Sequence, residues 1–157
     1  MVWLLYKGYC SITVSDERIK RLLAEIRESL KIARSITDME YDEFIRDVRN
    51  RYTLRLAIVE IVEASASLGL YILREILGIK RVEGYSHIFK RLVEHKVISP
   101  RIGEEMEKLT RLRNLIIHRY WEIDDSRIYR EAKSNGLKII EDLIKEVEEY
   151  VIRTRNV

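Results

Sequence analysis

Helix breakers are almost missing from this chain: it has one proline, Pro100, and six glycines in 157 residues. Proline and glycine interrupt helices most strongly, so their scarcity favours a few long helices over many short strands. The apolar residues agree. Ile19, Leu22, Leu23, Ile26, Leu30 and Ala33 recur at three- and four-residue steps, which makes one face of an amphipathic helix. Ser15, Asp16 and Glu17 predict its start, with a capping side chain and acids at the positive end of the dipole. Thr37 and Glu40 have capping-box spacing and predict a second helical stretch through Phe44, Ile45 and Val48.

The most apolar segment runs from near Tyr52 to Gly78. Leu54, Leu56, Ile58, Ile61, Val62, Leu68 and Leu73 leave it almost no polar face. A small bundle has little room for a fully enclosed helix, so contact with a second subunit is expected there. Glu60 and Glu63 interrupt this surface and read as partners for arginine on a neighbouring helix. A short helix follows over 85–96. Ser99 and Pro100 open the next, serine as cap and proline in the first turn, with Ile102, Met106, Leu109, Leu112 and Ile116 as its stripe. Asp124, Asp125 and Ser126 form a loop and a fresh cap. The last helix carries Ile128, Ala132, Ile139, Leu143 and Val147, with Gly136 as a weak point inside it. The expected fold is all-α, an up-and-down bundle of four main helices plus one or two short ones over residues 15–157. Residues 1–14, where Trp3, Leu5 and Tyr9 mix with Gly8, read as an N-terminal arm or short hairpin.

Several function classes fall away. The 29 basic and 26 acidic residues give a net charge of +3, too balanced for duplex DNA binding by bulk charge. The single cysteine, Cys10, excludes an intrachain disulfide and a multi-thiolate zinc site, and reads as a small buried residue. His87 and His95 are eight apart, too far for paired ligands on one helix turn, so neither a metal nor a cofactor is expected. The apolar start is too short for a secretory signal and has no basic stretch before it. With no run of about eighteen uncharged apolar residues, a membrane span is not expected either, and the chain should be cytoplasmic.

The chemistry concentrates in residues 111–120, where Arg111, Arg113, Arg119 and His118 stand together without an acid. On a helix Asn114 and His118 share a face, as do Arg113 and Tyr120. Arg113 and His118 are five apart, about 140° around the axis, and can meet through arginine's reach, a frayed helix end or a two-fold axis. By themselves these residues also suit solvated arginines and a histidine at a helix end, with Tyr120 and Trp121 as core or interface aromatics.

The pattern Arg113, four residues, His118, one residue, Tyr120 resembles the Arg-x4-His-x-Tyr signature of the HepT toxins of the HEPN superfamily. Asn114 after the arginine and the trailing residues 121–124 also match. So do the first amphipathic helix, the Glu-Phe-Ile-Arg-Asp stretch at 43–47, the long apolar helix with Glu63 and Ala64, and the last helix, in the family's order. The resemblance covers about residues 15–152; the first fourteen residues depart from it. It implies a homodimeric, metal-independent ribonuclease toxin, with the motifs of two subunits facing across a cleft. It also implies an MntA-type minimal nucleotidyltransferase antitoxin that silences the toxin by transferring AMP onto the motif tyrosine, Tyr120. On this reading Arg113 and His118 are catalytic towards RNA, and Asn114 orients His118 or binds phosphate. The alternative is a non-catalytic HEPN module, nucleotide-binding or an accessory subunit of a nucleotidyltransferase.

Overall fold

Helices take up nearly all of the chain that the computed structural model describes, residues 10–155, with side chains from 17 to 154. They are α1 (Cys10–Thr37), α2 (Tyr41–Arg46), α3 (Val48–Tyr71), α4 (Gly84–Glu94), α5 (Pro100–His118), α6 (Asp125–Glu131) and α7 (Leu137–Arg155). A π turn over Ile72–Ile76 prolongs α3, another over Ala132–Gly136 runs α6 into α7, and Tyr120–Glu122 is a single 3-10 turn. No strand occurs among the described residues.

Contacts between the long helices fix their directions. Ser29 of α1 meets Glu60 of α3 at 2.9 Å, while Arg18, eleven residues earlier, lies over the Tyr71 ring, eleven residues later. Arg34 of α1 pairs with Glu141 of α7 at 2.6 Å, and Arg27 with Glu148. At the start of α5 the Ser99 N–H donates to Glu146 and Arg101 pairs with Asp142. Each partner number rises as the other falls, so neighbouring long helices run antiparallel. Helices α1, α3, α5 and α7 thus make the expected up-and-down bundle.

The buried residues are those the periodicity selects. Ile19, Leu22, Ile26, Leu30 and Ala33 of α1 pack on α3, and Ile140, Leu143, Ile144 and Val147 of α7 close the core. Helix α3 holds the middle. Leu54, Ile58, Ile61, Val62, Leu68 and Gly69 are buried on different sides of it. The Val48–Ile76 stretch is long and apolar enough to cross a bilayer, and the bundle buries most of it. Within one chain α1, α4 and α5 enclose most of this helix, so its apolar character does not by itself call for the second subunit expected from the sequence. The large apolar residues of α3 that remain exposed form a stripe at its N-terminal half, Val48, Tyr52 and Leu56, at four-residue steps.

Local signals fared unevenly. Asp124 caps α6 as expected, its side chain accepting from the Arg127 N–H at 3.1 Å. Thr37 does not start a helix; it is the last residue of α1, where its hydroxyl donates to the Arg34 carbonyl. Helix α2 instead starts after Glu40 and stops at Asp47, whose extended backbone and carboxylate cap α3 through the Arg49 N–H at 2.9 Å. Ser99 holds the N-cap position of α5, yet its buried hydroxyl has no hydrogen-bond partner; Pro100 and the Glu146 carboxylate set that entry instead. Helix α1 begins at Cys10, ahead of the start read at Ser15, so residues 10–14 of the supposed arm are helical. The rest of the arm, 1–9, and the burial of the Cys10 side chain lie outside the described residues.

Candidate active site

Arg113 sits five residues before the end of α5, facing α3 and α4, and it is 21% exposed. Its Nε donates to Glu63 Oε1 at 2.7 Å, and its Nη2 reaches the same oxygen. Its Nη1 donates to Asn114 Oδ1 at 3.1 Å. The other oxygen of Glu63 accepts from the Tyr85 hydroxyl, and the Tyr85 ring lies 5.2 Å from the Arg113 guanidinium carbon. The carboxylate beside it, with partial burial adding, holds the Tyr85 phenol above its usual range, against the opposing pull of Arg113. Three helices thus each contribute one side chain to a carboxylate–guanidinium–phenol cluster.

Bundle topology brings the remaining motif residues to one end. Arg55 of α3 forms a two-pronged pair with Asp125 of α6, at 2.7 and 2.6 Å, so residues 117–125 lie level with the first turns of α3. Helix α5 ends at His118, which is exposed, and Arg119 leaves the helix with φ −139° and ψ 46°. Tyr120 and Trp121 follow in the 3-10 turn, 62% and 67% exposed, their rings edge to face at 5.3 Å. Arg119 pairs with Glu122 across this turn. The two aromatics are therefore not core residues. Together with Ile117, Val48, Tyr52 and Leu56 they place exposed apolar groups at the end of the bundle that carries His118.

Of the residues the sequence singled out, the fold joins Arg113 and Asn114 by a hydrogen bond. His118 and Tyr120 stand separately, in solvent, five and seven residues beyond Arg113. Asn114 contacts Arg113 and not His118. Glu60 does not meet an arginine; it accepts from the buried Ser29. Glu63 does, and that arginine is the motif's own. Tyr85 carried no signal beyond a helix start, because a contact between residues 22 apart on different helices leaves no trace in local spacing. His87, half-buried, accepts the Glu83 N–H on its Nδ1 at 3.0 Å and so shapes the entry to α4, whereas His95 is exposed just past its end.

Comparison with known proteins places the fold. No curated protein matches the chain. Among solved structures, the chain is similar to a tri-AMPylated Shewanella oneidensis HEPN toxin in complex with MNT antitoxin, with TM-score 0.77 and 18% identity over 84% of this chain and 97% of that one. It is similar to a mutant MntA–HpeT toxin–antitoxin, with TM-score 0.75 and 18% identity over 85% and 98% of the two chains. It also resembles YutE of Bacillus subtilis, described as a cytosolic protein of unknown function, with TM-score 0.73 and 19% identity over 88% and 91%. At such identities the likeness establishes the HEPN-toxin fold. A family model, Ribonuclease HepT-like, matches residues 26–150, most of the chain and all of the cluster just described. The chain belongs to the HepT-like ribonuclease family.

Proposed function

We propose that this protein is the ribonuclease toxin of a toxin–antitoxin pair, acting in the cytoplasm as a homodimer. Arg113 and His118 are its catalytic groups, and an MntA-type nucleotidyltransferase silences it by adding AMP to Tyr120. The observation that carries the reading is Arg113 itself. Its guanidinium is held against Glu63 and Asn114 at the flank of an exposed stripe, with His118 and Tyr120 exposed five and seven residues further on.

The chemistry needs little else. Metal-independent RNA cleavage takes a proton from the 2′-hydroxyl, whose oxygen attacks phosphorus, and returns a proton to the departing 5′-oxygen, leaving a cyclic phosphate. An imidazole serves as that base or that acid near neutrality. Negative charge grows on the phosphoryl oxygens, and a planar guanidinium offers two donors to it at once. One copy of the motif supplies one imidazole. A two-fold seam over Tyr52, Leu56 and Ile117 would bring the second, so that each subunit gives an Arg113 and a His118 to one cleft. A row of exposed apolar groups beside the motif is what such a seam requires.

AMP transfer joins the Tyr120 oxygen to the α-phosphorus of ATP and releases pyrophosphate. Tyr120 is exposed enough to enter another protein's active site. The phosphate it would carry is negative and bulky, and beside Arg113 and Arg119 it would compete with RNA. The structural neighbours, an AMPylated toxin and toxin–antitoxin complexes, favour this partner.

The test is expression in cells, alone and with the partner nucleotidyltransferase. Arg113→Ala and His118→Ala should each abolish growth inhibition while remaining folded, and growth inhibition equal to the parent in both would remove the site. Incubation with the nucleotidyltransferase and ATP should add AMP mass to the protein but not to Tyr120→Phe. Undiminished AMP addition to that variant would refute Tyr120 as the acceptor.

A further inference from the structure

An arginine that stabilises a transferring phosphoryl group must present its donors in a fixed direction, and a guanidinium on a four-bond stem does not do so unaided. In this protein the fixing is done from two other helices. Glu63 of α3 engages Nε and Nη2 of Arg113 through a single oxygen, Oε1. Its second oxygen is occupied by the Tyr85 hydroxyl from α4, and the Tyr85 ring lies against the guanidinium. Asn114 takes one N–H of Nη1. Of the five N–H groups of a guanidinium, the one on Nε and one on Nη1 donate here while Nη2 is held in the ion pair, so each of the two terminal nitrogens keeps an open N–H. That is the number a phosphodiester takes from arginine when it binds in the two-pronged mode.

We propose that Tyr85 and Glu63 are positioning residues for the ribonuclease reaction: Tyr85 holds Glu63, and Glu63 holds the inner edge of Arg113, so that its outer pair of N–H groups faces the scissile phosphate. The inference rests on the ribonuclease reading and adds two residues, and a direction, to it. Glu63 is not the general base. Both of its oxygens accept hydrogen bonds within the cluster, Oε1 from the guanidinium and Oε2 from the phenol, which leaves it a weak acceptor for a substrate proton. Tyr85 touches both partners, whereas a filler of the same space would need only its ring. The hydroxyl is therefore the group to remove.

The experiment measures RNA cleavage by the purified full-length protein as wild type, Tyr85→Phe, Glu63→Ala, the double variant and His118→Ala, with thermal unfolding of each. Tyr85→Phe keeps the ring under the guanidinium and loses only the hydroxyl. Its kcat should fall about tenfold, the size expected for one hydrogen bond to a charged group, with KM moving less than about twofold. Because Tyr85 acts through Glu63, the same substitution should cost nothing further in the Glu63→Ala background. Should Glu63→Ala not fold, Glu63→Gln takes its place in the cycle.

Activity of Tyr85→Phe within about twofold of wild type, with His118→Ala inactive, would overturn the positioning role and leave the ribonuclease reading intact. Additive losses in the double variant would also overturn it, by showing that Tyr85 works independently of Glu63. Faster turnover in Glu63→Ala would do the same, since the carboxylate would then be withholding Arg113 from RNA. Undiminished activity of His118→Ala would remove the ribonuclease site beneath the inference.

Discussion

Tyr85 is where a single proton connects the stability of the fold to the geometry of the site. Its hydroxyl donates to Glu63, and deprotonation would set a phenolate against a carboxylate, so its pKa is raised above the ordinary tyrosine value of 10.0. The folded protein therefore keeps this proton at a pH where the unfolded chain has released it. The stabilisation is complete below the unfolded value and is lost as pH rises through the folded one. The melting temperature should thus fall more steeply for wild type than for Tyr85→Phe as pH rises above about 10. Parallel curves would mean that the hydroxyl makes no such bond in solution. At this scale the sequence was informative about identities and silent about partners. Arg113, Asn114, His118 and Tyr120 stand out by their spacing within one segment. Glu63 was legible only as an acid awaiting some arginine, and Tyr85 not at all, because their meeting is decided by how three helices cross.

The crossing of those helices depends on two glycines. Gly69 of α3 lies where a Cβ would come within 2.7 Å of Ile88 and 2.8 Å of Leu92 on α4. Gly103 of α5 lies where a Cβ would collide with Val93 of α4. Both permit α4 to nest closely on α3 and α5, which brings Tyr85 to Glu63 and Arg113. Alanine is the better helix former by up to about 1 kcal/mol, yet overpacking costs typically about 1–3 kcal/mol. Gly69→Ala and Gly103→Ala should therefore destabilise the protein in urea unfolding, and Val93→Ala should restore part of what Gly103→Ala loses. A gain in stability from either single change would show that α4 sits less tightly than described. The apolar periodicities of α1, α5 and α7 were legible because each helix buries one stripe. The close approaches were not, since a glycine in a helical pattern reads as a weakness until the neighbour that needs the space is known. Thr37 misled for a related reason: its spacing to Glu40 suits a cap, but the chain uses it to finish α1 and lets Asp47 start α3.

Across the whole molecule, the antiparallel α1–α3–α5–α7 arrangement sends the polar cluster of Glu63, Tyr85 and Arg113 along one flank and the exposed residues 117–121 to its end. The near-continuous hydrophobicity of α3 suggested a subunit contact for the whole helix. One chain satisfies most of it, leaving only the stripe of Val48, Tyr52 and Leu56 in solvent. That remainder lies at the end of the bundle that carries His118, and a second copy seated there would complete a site of two guanidinium and two imidazole groups. The most direct test is the rate at which purified protein cleaves RNA in the presence of EDTA, for wild type beside His118→Ala. Wild type should cut, leaving cyclic-phosphate ends, and the variant should be slower by at least about a hundredfold, as for loss of a general acid or base. Equal rates for the two proteins, or no cleavage by wild type, would contradict the ribonuclease reading.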